Sequence, residues 1–378
     1  MPRTPQEYLI GLHRIREVTP RRMIALLDRF PSPEAIWRAS VADLRSISEV
    51  APAAEAIAAG RSEEALDQEL HRGERLQARA VTLLDPEYPP PLRALPSPPA
   101  VLYVRGRVDV DTRRALGIVG TRRSSRYGRS VAEGLAADLA GCGLIVVSGL
   151  AVGIDAAAHR GALSVGGLTV AVLGSGFLHP YPVENRALFE EIAERGTLLS
   201  PFPLDLEPAK WTFPSRNVVL AGLCRGVIVV EAPERSGALL TARAALDQGR
   251  EVLAVPGNVT SGGSAGTNRL IRDGAVAVTS SEDVLAEFPD LAKLAGSRRS
   301  GHREGEVARS PVEERVLEAI GLEPVHIDDI IARIGLTPAE ASSTLFLLQM
   351  RGAIQEVEGR RYVRGPLRIK GQVPGSRS

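Results

Sequence analysis

Five short, uninterrupted apolar runs recur in the middle of this chain: Ala115–Val119, Leu144–Val147, Leu168–Leu173, Val227–Val230 and Val252–Val255. A strand with one wet face alternates apolar and polar residues. A run that is apolar throughout suits a strand buried on both faces, as in a parallel sheet packed between helices. Helical patterns fill the gaps, for example Val131, Leu135 and Leu139 at every fourth position. Alternating strand and helix predict an α/β, Rossmann-like, mostly parallel sheet over residues 112–288. Ligands of such sheets sit beyond the carboxyl ends of the strands. The polar and Gly-rich clusters fall there: Gly120-Thr121-Arg122, Ser148-Gly149, Gly174-Ser175-Gly176 and Pro256-Gly257-Asn258.

The flanks follow other patterns. In residues 1–80, Leu26, Leu27 and Phe30 recur at helical spacing, and Val41–Leu44 and Ala53–Ala59 continue it. This predicts a small helical module, either SAM- or helix-hairpin-helix-like or a packing unit with no ligand of its own. Residues 81–111 contain Pro86, Pro89, Pro90, Pro91, Pro96, Pro98 and Pro99. Such a run opposes regular helix and predicts an ordered connector ending in a strand at Val101–Val104. Residues 289–310 are charged and Gly/Ser-rich, the composition of a flexible linker. Within 311–366, three helical patterns precede two short strands around Glu358-Gly359-Arg360, which predicts a winged helix. Residues 367–378 are expected to be a disordered tail.

A chain of 378 residues has room for two or three domains, and a hydrophobic share of 44% suits packed cores. With 46 basic against 45 acidic residues, the net charge is +1. Any affinity for nucleic acid must therefore come from a local basic patch. Nearly every cation is an arginine; the lysines are Lys210, Lys293 and Lys370. The two cysteines, Cys142 and Cys224, have no C-x-x-C partner and lie in apolar stretches, so they read as core residues. No His, Cys, Asp or Glu cluster has metal-ligand spacing, and no metal or cofactor is expected. The start lacks a signal-peptide pattern and no apolar run reaches membrane-span length, which predicts a soluble cytoplasmic chain without a membrane partner.

Three segments could carry chemistry. Gly120-Thr121-Arg122 joins a strand to a helix, where glycine admits close backbone approach and Arg122 can grip a phosphate. It suits a phosphate-binding turn and an ordinary tight turn equally well. Ser148-Gly149 through Asp155 is a second such loop. Gly149 is placed for backbone approach, Asp155 reads as a helix N-cap, and His159 one turn later reads as a packed structural histidine. Lys210-Trp211-Thr212-Phe213-Pro214-Ser215-Arg216-Asn217 joins two cations, two aromatics and an amide in one short stretch. Cations that track phosphates beside aromatics that stack on bases are what single-strand binding requires. Within it, Trp211 reads as core and Asn217 as a residue that ties the loop to backbone.

Several enzyme classes lose support. There is no G-x-x-x-x-G-K-[ST], and no G-x-G-x-x-G at the first turn. Gly262-Gly263-Ser264-Ala265-Gly266 matches G-x-S-x-G, but Ser264 lies well past the strand that ends near Val255, off any strand-to-helix elbow.

From about residue 88 to 278 the chain resembles the DNA-processing protein A (DprA/Smf) family. The residues concerned include Ile118-Val119-Gly120-Thr121-Arg122, Ser148-Gly149-Leu150-Ala151-Val152-Gly153-Ile154-Asp155, Ala158-His159, Tyr181-Pro182, Phe213-Pro214-Ser215-Arg216-Asn217, Ser236-Gly237-Ala238-Leu239-Leu240-Thr241-Ala242, Pro256-Gly257 and Gly266-Thr267-Asn268. The resemblance implies a non-catalytic, homodimeric protein that binds single-stranded DNA and loads RecA recombinase onto incoming strands in natural transformation. It also implies that Arg122, Lys210 and Phe213 contact DNA, that Arg216 and Asn217 form the family's Arg-Asn motif, and that Gly120, Thr121 and Gly149 meet phosphate through backbone. Ser200-Pro201-Phe202-Pro203 departs from the family's usual Ser-Glu-Tyr-Pro, and Val218-Val219 stands where Arg-Ile is common.

The third helix of the winged unit, Ala339–Met350, has no Lys or Arg. A major-groove reader normally offers cations or amides, so partner docking is the favoured role there. Arg360, Arg361 and Arg364 of the wing leave weak duplex binding open, as does the N-terminal module. The rival reading is a phosphoribohydrolase-like enzyme on a related scaffold. Such enzymes carry a catalytic Glu after a Pro-Gly-Gly-x-Gly-Thr loop, and here Asn268-Arg269 follows Gly266-Thr267 instead.

Overall fold

The computed structural model describes residues 3–107, 110–294, 310–321, 323–350, 353–357 and 359–364. Its centre is a nine-stranded sheet in the order β1-β2-β6-β5-β4-β3-β7-β8-β9. The strands are β1 Arg79–Thr82, β2 Val101–Gly106, β3 Ala115–Val119, β4 Ile145–Ser148, β5 Leu168–Val172, β6 Thr197–Ser200, β7 Gly226–Val229, β8 Glu251–Ala254 and β9 Val276–Ala277. Strands β3 to β9 pair in parallel, while β1–β2 and β2–β6 pair antiparallel. From β3 the chain winds outward through β4, β5 and β6, then returns to the other side of β3 for β7, β8 and β9. The reversal puts a crevice outside the carboxyl ends of β3 and β7, where open α/β sheets place their ligands.

The apolar runs alternate between two cores because successive strand side chains point to opposite faces. Leu116, Ile118, Val146, Ile228, Val230 and Leu253 pack on one face with Leu135 and Leu139. Ala115, Val119, Ile145, Val147, Val227 and Val229 pack on the other. The first face is covered by α8 (Arg126–Gly141) and α14 (Ser281–Ala286), and the second by α10 (Arg186–Arg195), α11 (Thr212–Leu223) and α12 (Gly237–Asp247). Helix α9 (Ile154–Ser164) follows β4 and contributes to both cores; α13 (Ala265–Arg272) follows β8.

Before the sheet come six helices: α1 Pro5–Arg14, α2 Pro20–Arg29, α3 Pro33–Arg38, α4 Val41–Arg45, α5 Ala54–Gly60 and α6 Glu63–Leu76. Their apolar residues Leu9, Leu12, Met23, Leu26, Ile36 and Leu66 join the second core, so these helices are packed onto the sheet. Buried Glu69 fastens the contact. It accepts from Leu204 N at 2.8 Å and from Arg14 at 3.0 Å, and Arg14 and Arg72 also reach Asp205 at 3.1 and 2.6 Å.

The strand expected at Val101–Val104 is present as β2, while β1 before the prolines was not expected. The proline-dense stretch, which includes the short α7 (Pro90–Arg93), bridges two antiparallel strands that extend the sheet. Between β1 and β2 the prolines leave only the single short turn of α7, and the strand signal is too short to read at β1. Most of the predicted linker and the predicted tail lie outside the described residues. The compact unit runs further than expected, since Leu291 is fully buried in the first core.

The C-terminal unit has helices α15 Pro311–Ala319, α16 Ile327–Ile334 and α17 Pro338–Met350, with a three-stranded antiparallel sheet of β10 Val325–His326, β11 Ile354–Val357 and β12 Arg361–Arg364. This is the winged helix read from the sequence. Helix α17 buries Leu345 and Leu348 and exposes Phe346 and Leu347; Arg360, Arg361 and Arg364 are exposed on the wing. No helix among the described residues is long and apolar enough to cross a membrane.

Candidate functional site

The carboxyl edge of the sheet gathers the three polar segments. Arg122 follows β3, and Phe213 lies in the first turn of α11, which leads into β7. The Arg122 guanidinium lies over the Phe213 ring, 4.9 Å from its centroid, and the Tyr181 ring tilts against the same phenyl at 5.7 Å. Phe213 also lies against Gly174, beyond β5: a Cβ there would stand 2.8 Å from the ring. Thr212 fixes this approach, its Oγ1 donating to Gly174 O at 2.5 Å. Lys210 is exposed just outside. Among the described residues neither Arg122 nor Lys210 has an ion-pair partner, whereas Arg14, Arg72, Arg105, Arg113 and Arg225 are all paired. Unpaired cations at a strand edge remain available to an anion.

Trp211, read as core from sequence, is 48% exposed and meets Phe202 edge to face at 5.8 Å. It adjoins Lys210 at the N-terminus of α11, and only its packing against Phe202 turns the ring outward.

Arg216 and Asn217 lie behind this surface. Arg216 is 5% exposed; its Nη1 donates to Gly149 O at 2.6 Å and to Val172 O at 2.5 Å, and its Nε donates to Asn217 Oδ1 at 3.0 Å. The guanidinium thus clamps the ends of β4 and β5 together. Gly149 is glycine for this reason, since a Cβ would fall 2.1 Å from Arg216 Nη1. Asn217 holds the guanidinium rather than the loop backbone expected from sequence.

Asp155 does not cap α9 in the predicted way. Gly153 occupies the N-cap position, and the Asp155 carboxylate reaches back to accept from Gly149 N at 3.1 Å and Ala151 N at 3.4 Å. Burial raises its pKa above the usual carboxylate range, opposed by the Arg216 charge and by backbone N–H groups including that of Gly120. Burial likewise works against the charge on Arg216, and Asp155 supports it. The loop between them is costly to hold: Leu150 is buried at φ 59°, a left-handed conformation worth roughly 1–2 kcal/mol of strain. Asn185 offsets this by donating Nδ2 to Leu150 O at 2.8 Å.

A second carboxylate fills the crevice between β3 and β7. Glu231 is 7% exposed, and its Oε2 accepts from Ser125 N and Ser125 Oγ, both at 2.9 Å, at the N-terminus of α8. Its backbone oxygen accepts from Thr121 N at 2.7 Å. Gly128 leaves room for the carboxylate, because a Cβ there would stand 1.9 Å from Oε2. The position where a doubly wound sheet would seat a ligand phosphate on a helix N-terminus therefore holds the protein's own anion.

These contacts revise the expected phosphate contacts through backbone. Thr121 N is committed to Glu231 O, and Gly149 N and the Gly120 backbone to Asp155. Gly120 is small for packing, as a Cβ would lie 2.5 Å from Ile154. Side chains, not the three N–H groups, are what this edge offers to an anion.

His159 is the structural histidine that its alanine-rich setting suggested. It is fully buried, with Nδ1 2.7 Å from Thr169 Oγ1, whose own hydroxyl proton goes to Val146 O. Burial, with Arg216 and Arg160 nearby, pushes its pKa down to about 3. An unfolded histidine near 6.5 binds protons more readily, so the neutral ring favours folding above pH 6.5 and loses that advantage as pH falls toward 3. At about pH 5 the loss is about 2 kcal/mol, or 1.36 kcal/mol per unit. His159→Gln is expected to flatten the decline in thermal midpoint between pH 6.5 and 5; parallel declines in both proteins would exclude His159 as its source.

Among the described residues, no group of three or more His, Cys, Asp or Glu side chains is placed to hold a metal ion. Asn268, in α13, donates to Gly257 O at 3.0 Å and accepts from Gly257 N at 3.1 Å, so it staples the loop after β8 to that helix.

Comparison with known proteins follows the same outline. The family model for DNA recombination-mediator protein A matches residues 79–289, and the DprA winged helix domain model matches 302–360. Protein Smf of Synechocystis is 32% identical over a 397-residue alignment covering 96% of this chain and 100% of that protein. DNA processing protein DprA of Bacillus subtilis is 43% identical over 205 residues, 54% of this chain and 69% of that protein. The X-ray structure of DNA processing protein A from Streptococcus pneumoniae superposes with a TM-score of 0.67 at 34% identity, over 76% of this chain and 99% of that one. A Helicobacter pylori DNA processing protein A structure, solved to describe its single-stranded DNA binding mode, gives 0.50 at 29% identity over 56% and 96%.

Proposed function

Because the chain belongs to the DNA recombination-mediator protein A family, we propose that it binds single-stranded DNA along the carboxyl edge of its sheet and acts there as a non-catalytic recombination mediator. In this reading it works in the cytoplasm as a homodimer and loads RecA recombinase onto incoming strands during natural transformation. The observation that carries the DNA reading is the pairing of an unpartnered Arg122, stacked on Phe213, with an exposed Lys210 at one strand edge. Cations beside aromatics suit a polyanion whose bases are unpaired.

Arg122 and Lys210 are assigned to phosphates and Phe213 to stacking. Arg216, Asn217 and Gly149 are assigned to holding the strand ends in place, and Gly120 and Thr121 to seating the Arg122 turn. The rival, a phosphoribohydrolase-like enzyme, loses support twice. Glu231 occupies the crevice a nucleotide phosphate would need, and Asn268 stands after Gly266-Thr267 where the catalytic Glu would be. The exposed arginines of the wing support weak duplex binding by the C-terminal unit.

The test is a salt-series titration of poly-dT against duplex DNA. Arg122→Ala and Lys210→Ala should each weaken single-strand binding and flatten its log–log salt dependence by about 0.7 per lost phosphate contact. Phe213→Ala should weaken binding with little change in slope, since stacking releases no counterions. Parent affinity and slope in both cation variants would sink the site. Ribose-phosphate release from nucleoside monophosphates would revive the hydrolase.

A further inference from the structure

Phe213 is the aromatic that sequence reasoning singles out, yet its ring is already engaged. Arg122 lies over it at 4.9 Å, Tyr181 tilts against it at 5.7 Å, and Gly174 backs it closely. A base arriving there must displace or stack upon the guanidinium. Trp211 is different. It is 48% exposed, and no cation covers its ring among the described residues. Its orientation is nonetheless held: Phe202, itself buried, meets it at an interplanar angle of 86°. A large aromatic surface fixed before binding loses little side-chain freedom when a ligand stacks on it.

The position is also informative. Arg122 follows β3, Phe213 rests on Gly174 just beyond β5, and Phe202, which holds Trp211, follows β6. In the sheet these strands lie in the order β3-β4-β5-β6. At about 4.8 Å per strand, the strand ends that anchor the three groups span roughly 14 Å of the carboxyl edge, with the Arg122 guanidinium reaching across to Phe213. Lys210, adjacent to Trp211 in the chain, supplies a cation at the outer end.

We infer that Trp211 forms a second nucleobase-stacking subsite, one strand beyond the Arg122–Phe213 stack, so that a single strand crosses the sheet edge from β3 toward β6. The inference rests on the single-strand reading above, and its test keeps the two apart.

Trp211 and Trp37 are the chain's two tryptophans. Trp37 belongs to the N-terminal helices and donates Nε1 to Glu63 at 2.9 Å. Intrinsic fluorescence therefore reports on Trp211 once Trp37 is subtracted. Full-length protein is titrated with an end-labelled dT oligomer, following tryptophan emission and label anisotropy together. Binding should quench the emission in the parent and in Trp37→Phe, but leave emission unchanged in Trp211→Phe. Trp211→Ala should lose about fivefold or more in affinity, the low end of one stacked base, with the salt slope kept. An abasic oligomer of equal length should bind with the same slope and no quench.

Anisotropy showing full-affinity binding by Trp211→Ala, or quenching by the abasic strand, overturns the subsite and leaves the groove standing. No anisotropy change in the parent overturns the single-strand reading and the subsite with it. Unchanged thermal midpoints in the two Trp211 variants separate lost stacking from lost fold.

Discussion

Arg216→Ala is expected to lower the stability of the sheet unit by about 3–5 kcal/mol, the usual result of stripping one charge from a buried charged network. The guanidinium is the donor to Gly149 O, Val172 O and the Asn217 amide oxygen, and all three acceptors are walled off from water by the same packing. Removing it leaves them unsatisfied and leaves Asp155 buried without its cation. At roughly 2–4 °C per kcal/mol for a unit of this size, the thermal midpoint should fall by on the order of 10 °C. Arg216→Lys should not restore it, because one ammonium cannot span two carbonyls and an amide in the geometry of the planar fork. The loss should shrink when Asp155→Asn is already present, which a double-mutant cycle by scanning fluorimetry measures. A midpoint within a degree or so of the parent would refute the clamp.

The second large effect concerns Glu231 and has an unusual sign. Removing a carboxylate near a DNA groove should, by charge alone, tighten binding of a polyanion. Glu231→Ala is expected to weaken it about tenfold, or about 1.4 kcal/mol. The carboxylate holds Ser125 N and Oγ while its backbone holds Thr121, so both ends of the turn carrying Arg122 depend on this residue. Without the side chain, the N-terminus of α8 loses its internal anion and the turn keeps only its backbone anchor at Thr121. The log–log salt slope should drop by about 0.7, matching one lost phosphate contact. Glu231→Gln, which keeps an acceptor for Ser125 N, should lie between the two. Tighter binding by Glu231→Ala would mean that the residue acts only as a nearby negative charge.

Both predictions involve side chains that the order of residues does not bring together. Glu231 follows β7 and Ser125 precedes α8, more than a hundred positions apart; the reversal of winding at β3 makes them neighbours. Nothing in the local sequence around Glu231 marks it as a cap. Asp155 shows a subtler limit. Its place at the start of α9 suggested a cap, but Gly153 took that position and freed the carboxylate for the loop behind it.

What the residue order determined alone was whatever depends on short-range periodicity. The uninterrupted apolar runs specified strands buried on both faces, and the observed strands lie within a residue of those runs. The winged helix was legible for the same reason, as three helical periods followed by two short strands around a glycine. The tertiary structure decided which polar groups are free. Arg122 and Lys210 stayed unpaired while Arg216, equally basic and only six positions from Lys210, became a buried clamp; Trp211 turned outward while Phe213 was covered. Charge, aromatic character and spacing are the same whether a side chain is spent on a carbonyl or left for a ligand. Only packing between distant segments distinguishes the two, because the desolvation that makes a buried donor find an internal partner is set by neighbours far away in the chain.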